Sequence, residues 1–276
     1  LPLSFIFWIF IYLRKKIVKK IKFNIPIICV GNIYVGGTGK TPLTINIAKE
    51  LAKRGKKPAI VRKYYKSHKD EHNMILENYD HLILDKKRKL AINKAIDNKF
   101  DAVILDDGFQ DYKIKKDLNI LCFNSNQLIG NGFVFPSGPL REDLSSIKNV
   151  NIVVINGEKN KEFERKILDI NNNLKIYYSN YKPLNIEDLK DKKLLAVSGI
   201  GNPENFFKIL KDNDLNLQKT LIYPDHYQFN KYEIQKIIDI ADKQNYQIVM
   251  TEKDYYKIKD FNFKKIIYLR IELELQ

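Results

Sequence analysis

The sequence is 276 residues long and 44% hydrophobic, with 48 Lys and Arg against 33 Asp and Glu, a formal charge of +15. That length suits one large or two modest domains with a buried core. Its two cysteines, Cys29 and Cys122, each lie inside an apolar run, and no Cys/His cluster accompanies them. Neither a disulfide framework nor a zinc site is expected, and a reducing, cytosolic setting is. The positive excess attracts nucleic acid, anionic membrane or phosphorylated substrates. Yet Lys, Ile and Asn are abundant throughout, and no helix-turn-helix or aromatic-basic platform argues for a nucleic-acid binder. Only localised basic clusters are informative.

In chain order, the first such cluster follows Leu1–Leu13, a nearly uncharged apolar stretch; five of the seven residues Arg14–Lys20 are basic. A secretory signal has the opposite polarity. Thirteen helical residues reach only about 20 Å, short of the ~30 Å hydrocarbon core. The pattern predicts a helix lying in a membrane interface, with Trp8 and Tyr12 at headgroup depth and the basic run on anionic lipid. A helix packed on the protein's own core is one alternative, and a single membrane-spanning anchor, should residues precede Leu1, is another.

Beyond Lys22, β-branched runs alternate with helix-patterned stretches. Strands are expected at Ile25–Val30, Ala102–Leu105, Asn119–Phe123, Asn151–Ile155, Lys193–Ser198, Tyr246–Met250 and Lys265–Leu269. Leu43, Ile47, Ala48 and Leu51 share one helical face, as do Ile234, Ile237, Ile238 and Ala241. Such alternation predicts an α/β fold of parallel sheets covered by helices. The polar stretch Tyr181–Lys192 suggests a boundary. The expected organisation is a membrane-associated helix over 1–24, a main α/β domain over 25–183 and a smaller α/β domain over 184–276.

The segment "VGNIYVGGTGKTPLT", Val30 to Thr44, carries the first chemistry. It follows a buried strand and enters a helix, so the backbone of Gly36, Gly37, Thr38 and Gly39 can turn N–H groups toward one anion at the helix's positive end. Lys40 would reach the outer phosphates and the Thr41 hydroxyl would ligate Mg²⁺. The pattern G-x-x-x-x-G-K-[ST] places its first glycine where this chain has Tyr34, a departure. The run "AVILDDGFQD" ends a strand in Asp106 and Asp107, the carboxylates such a loop needs for its metal. The sequence leaves open which of the two touches Mg²⁺. A P-loop NTPase-like sheet domain with a smaller second domain is therefore the expected architecture.

Further segments complete a pattern: "PIICVGNIYVGGTGKTP", "ILDDGFQ", "GNGFVFPSGPLRED", "VSGIGNPENFF", "YPDHYQF" and "TEKD". Together, and in this order along nearly the whole chain, they resemble the tetraacyldisaccharide 4′-kinase family. The resemblance implies ATP as donor and Mg²⁺ as cofactor. It also implies an acylated glucosamine disaccharide 1-phosphate, a lipid A precursor, as acceptor through its 4′-hydroxyl, at the cytoplasmic face of the inner membrane. It assigns the hydroxyl's proton to an aspartate paired with a histidine, which map onto Asp70 in "HKDEHNMIL" and His226 in "YPDHYQF". Arg88 falls where the family has an arginine. A solvated charge run is the other reading of "SHKDEH". The family's glycine-rich "S-R-G-Y-G-G" reads "VRKYYKS" here, keeping Arg62 and Tyr64 and replacing glycines by Lys63 and Tyr65. Arg141 would clamp a phosphate or pair with Glu142 or Asp143.

Two other readings keep a nucleotide. A membrane-associated ATPase switch of the partition or septum-site type has a second lysine five residues before the first, where this chain has Val35. A GTPase reads its base with Asn/Thr-Lys-x-Asp, whereas Glu252 and Lys253 stand in reverse order in "TEKD".

Overall fold

The computed structural model describes residues 2–65, 69–225 and 227–276. Two compact units emerge, one of Leu1–Tyr64, Tyr79–Asn180 and Glu274–Gln276, the other of Tyr65–Asn78 and Tyr181–Leu273. The units are thus interleaved along the chain rather than consecutive.

The first unit contains α1 (Pro2–Ile17), β1 (Ile27–Gly31), α2 (Lys40–Lys53) and β2 (Pro58–Lys63). After α3 (Lys69–Asn78), which belongs to the second unit, come β3 (Leu82–Asp85), α4 (Arg88–Asp97), β4 (Ala102–Asp106) and β5 (Leu118–Asn124). β6 (Ile152–Asn156), α5 (Lys161–Leu168) and β7 (Lys175–Pro183) follow. The sheet has the order β12-β7-β6-β5-β1-β4-β2-β3, with β12 (Ile271–Leu275) at its edge. The pairings from β3 through β7 are parallel.

From β1 the chain builds β2, β3 and β4 to one side, then β5, β6 and β7 to the other. The reversal lies between β1 and its two neighbours, and in open parallel sheets the crevice beyond the strands' carboxyl ends at such a reversal receives ligands. Alternation decides what each strand buries. Ile27 and Cys29, Ala59 and Val61, and Val103 and Leu105 face one core with Ala91, Ile92 and Ala95 of α4. Ile60 and Ile104 are fully buried too, and α2 packs against β1, β2 and β4 with Leu43 and Ala48 inward. Both cysteines are buried free thiols, pushed by that burial up to about 11 at Cys29 and about 12 at Cys122.

The second unit has a four-stranded parallel sheet ordered β11-β10-β8-β9. Its strands are β8 (Leu194–Ser198), β9 (Leu217–Ile222), β10 (Gln247–Thr251) and β11 (Ile266–Leu269). Leu195 and Val197 pack with α7 (Lys231–Gln244), whereas Leu194 and Ala196 pack with α6 (Pro203–Asp212). α7 opens on a capping box, Asn230 and Glu233 each accepting the other's backbone N–H. Tyr65–Asn78 joins this unit because α3 lies against α8 (Glu252–Ile258), tied by Asn78 to Glu252 at 3.0 Å.

One close approach fixes the turn after β1. A Cβ on Gly31 would lie 2.5 Å from Cβ of Phe109. Gly31→Ala is therefore expected to cost about 1–3 kcal/mol, read as a lower urea midpoint at unchanged slope.

Candidate active site

The segment after β1 holds the site's cradle. Gly39 caps α2 at φ 83° and Gly36 stands at φ 133°, left-handed conformations that side chains resist. Asn32, fully buried, braces the loop from within, its amide donating to Thr38 Oγ1 at 3.0 Å and to the Gly36 carbonyl at 3.3 Å. Gln110 of "DDGFQ" donates to the Asn32 carbonyl at 2.9 Å. Tyr34, the departure from the strict pattern, sits in an antiparallel bridge with Leu140, and Val35 N donates to the Pro139 carbonyl at 2.8 Å. An extended residue there needs no glycine.

Lys40 and Thr41 open α2, so the helix's free N–H groups lie at the end of the loop while the two side chains meet Asp107 and Asp106. Opposite them β4 ends at Asp106, with Asp107 next, and the two aspartates have different surroundings. Asp106 has no solvent exposure and accepts from Thr41 Oγ1 at 3.1 Å, Thr44 Oγ1 at 3.2 Å and the Arg62 guanidinium. Register explains the arginine: β2 sets Val61 beside Leu105, so Arg62, the next residue, adjoins Asp106.

Asp107 turns away from the strand at φ 52°, held by Arg88 donating to its carbonyl at 2.6 Å. Its carboxylate receives Arg141 Nη1 at 3.0 and 3.2 Å and stands 3.9 Å from Lys40 Nζ. Burial alone would raise its pKa, but Lys40 and Arg141 overcome that and hold the carboxyl down to about 2. Burial lowers the Lys40 ammonium in turn, with Asp107 opposing the shift. Arg141 therefore takes neither partner expected for it: Glu142 pairs with Lys15 at 2.5 Å, and Asp143 caps the next turn.

The structure thus brings together the loop, Lys40, Thr41, Asp106 and Asp107, and adds Arg62, Thr44, Arg141 and Asn32. The signal for Arg62 was its place in "VRKYYKS", the counterpart of the family's glycine-rich stretch. The Thr41 hydroxyl on the Asp106 carboxylate, with Asp107 next in the chain, offers hard oxygens of the kind that suit Mg²⁺.

Asp70 lies in the second unit, in the first turn of α3, and is buried rather than part of a solvated run. Its neighbour Glu71 pairs with Lys253 at 3.2 Å, and Lys253 reaches Asp225 at 3.4 Å. Lys253 of "TEKD" therefore ties the segment bearing Asp70 to the residue before His226. His226 itself lies outside the described residues. Thr251 caps α8, and buried Asp254 accepts from Gly199 N at 2.8 Å and from Lys257 at 2.6 Å. That aspartate is engaged within the fold rather than turned toward a base. Lys63, one of the replacements in the glycine-rich stretch, closes β2, where extended backbone suits any residue.

The family model for tetraacyldisaccharide-1-P 4′-kinase (LpxK) matches residues 1–276. The chain belongs to this family. It is 42% identical over 275 residues to a tetraacyldisaccharide 4′-kinase of Pelagibacter ubique, covering 98% of this chain and 87% of that one. It is 34% identical over 292 residues to that of Rickettsia canadensis, covering 100% and 88%. The crystal structure of LpxK from Aquifex aeolicus in complex with ATP shares the fold, with a TM-score of 0.77 at 23% identity over 100% of this chain and 93% of that chain.

In this tetraacyldisaccharide 4′-kinase family member, removing Arg62 strands a buried carboxylate. Arg62→Met is expected to cost about 3–5 kcal/mol, read by chemical denaturation. Arg62→Met/Asp106→Asn should recover part of the loss.

Proposed function

We propose that this chain transfers the γ-phosphoryl group of ATP to the 4′-hydroxyl of an acylated glucosamine disaccharide 1-phosphate. One observation carries the reading. In a chain matching the kinase family from end to end, Lys40, Thr41, Asp106, Asp107 and Arg141 converge where α2 presents its N-terminus.

Phosphoryl transfer asks a protein for positioning, charge neutralisation and a proton acceptor. The cradle of Gly36, Gly37, Thr38 and Gly39 and the N-terminus of α2 bind the phosphates through backbone N–H groups. Lys40 and Arg141, already sharing Asp107, supply two cationic heads at one place for the triphosphate. Thr41 with Asp106 and Asp107 would hold Mg²⁺, which when bound neutralises phosphate charge. Arg62 and Thr44 fix Asp106 so that this carboxylate does not wander. The acceptor's hydroxyl oxygen forms the new bond to Pγ as the bond to the β-phosphate oxygen breaks and ADP departs. The family pattern assigns the hydroxyl proton to Asp70 and His226, and the reading adopts that assignment.

An acceptor held by acyl chains requires work at a bilayer surface, and α1 supports that reading. Leu3, Phe5, Ile6, Ile9, Phe10, Leu13 and Ile17 are exposed, while Ser4 and Ile11 are buried. α1 is thus apolar on its outer face and carries polar groups on its inner one. Fully covering one large apolar side chain is worth about 1.5–3 kcal/mol, so several together would hold the protein on lipid. Arg14, Lys16, Lys19 and Lys20 suit an anionic leaflet, here the cytoplasmic face of the inner membrane. No described helix is long and apolar enough to cross a membrane.

The direct test supplies Mg-ATP and a tetraacylated disaccharide 1-phosphate in detergent micelles and weighs the product. A gain of one phosphate is expected, with a loss of at least ~100-fold in Lys40→Ala, Asp70→Ala and His226→Ala, the scale of a positioned acid–base group. Release of free phosphate without a heavier lipid would overturn the reading in favour of an ATPase switch. Replacing Phe5, Ile9 and Phe10 by Ser is expected to reduce flotation with anionic vesicles while leaving ATP binding intact.

A further inference from the structure

We infer that Trp8 and Lys15 of α1 are positioning residues for phosphoryl transfer, acting through the 133–146 segment on Arg141. The inference rests on the reading of Arg141 as a phosphate clamp. It gives α1 a second task beyond holding the protein on lipid.

The inner face of α1 is polar where membrane anchoring alone would not require it. Ser4, Trp8, Ile11 and Lys15 recur at the three- and four-residue spacing of one helical face, and each polar member bonds to the same stretch of chain. Ser4 Oγ donates to Ser137 Oγ at 2.7 Å and accepts from Ser137 N at 2.9 Å. The Trp8 indole donates to Asp143 at 2.8 Å, so the ring turns inward, stacked between Phe5 and Tyr12. Lys15 pairs with Glu142 at 2.5 Å and donates to Ser146 at 2.9 Å, and Ser146 donates to Glu142 at 2.8 Å. Glu142 is 1% exposed, so these partners replace the water that its carboxylate has lost.

The same stretch grips the glycine loop from its other side. Arg141 N donates to the Ile33 carbonyl at 2.7 Å and Val35 N to the Pro139 carbonyl at 2.8 Å, while Leu140 bridges Tyr34 and is fully buried. Between Glu142, held by α1, and Leu140, held by the loop, stands Arg141 with its guanidinium on Asp107. One bond separates its Cα from the peptide whose other end carries the Lys15 partner. A shift of the 133–146 segment on α1 therefore moves the Arg141 head.

Catalysis is sensitive to displacements of this kind well before the fold is. Membrane anchoring and active-site alignment are thus carried by opposite faces of one helix, and they separate experimentally. The test measures kcat and KM on the full chain with Mg-ATP and a tetraacylated disaccharide 1-phosphate in micelles. It adds flotation with anionic vesicles and a thermal midpoint. Trp8→Phe and Lys15→Met are each expected to lower kcat about tenfold, the worth of one charge-assisted hydrogen bond, with flotation unchanged. Lys15→Arg should retain kcat.

Because Lys15→Met strands a buried carboxylate, Lys15→Met/Glu142→Gln is measured too. It should recover the thermal midpoint yet keep the low kcat. In an Arg141→Ala background, Lys15→Met should cost nothing further. Wild-type kcat in Trp8→Phe and in the double variant, or a loss that follows flotation, would overturn the inference. So would additive losses with Arg141→Ala. Arg141→Ala with undiminished kcat would instead overturn the reading of Arg141.

Discussion

A carboxylate withdrawn from water must be given an equivalent set of donors or lose its charge. Asp106 meets that demand with two hydroxyls and a guanidinium, and in doing so joins β4 to β2 and α2. The start of α2 is thereby fixed to the end of β4, which is what gives the glycine loop a defined place to bend. Asp106 is a structural pivot as well as a metal-ligand candidate.

Asp107 shows how one residue's displacement changes the chemistry. Its left-handed backbone swings the carboxylate out of the strand's path toward Lys40 and Arg141, with 30% of the side chain exposed. Neighbouring carboxylates thus acquire different tasks. One is committed inside the fold, and the other faces the crevice with cations that a polyphosphate can take over.

Much of this was legible in the sequence. The expected strands formed within a residue or two, because continuous β-branched runs have no comfortable place except a covered sheet. The glycine loop, Lys40, Thr41 and the aspartate pair announced themselves by order and spacing. What escaped notice was less apolar: β3 is half-buried along its length, and β9 carries Gln218, Lys219 and Thr220 in an exposed stretch. β2, though buried, begins at proline and ends in Arg62 and Lys63, which masks it as a strand. Arg62 could not be assigned a partner, because the pairing depends on register between strands 44 residues apart in sequence. Nor could the sequence show that Arg141 passes over its two acidic neighbours; α1 and the cap after β5's loops claim those first.

The interleaving of the two units has a consequence for how the protein is made. β7 is synthesised well before β12, its neighbour in the sheet, and the whole second sheet is translated in between. On the ribosome, the first unit therefore carries an open strand edge through the synthesis of about ninety residues, several seconds or more at ordinary elongation rates. Such an edge invites pairing with another chain. β7 carries exposed lysines at positions 175 and 182, charges of the kind that discourage such pairing at a bare edge.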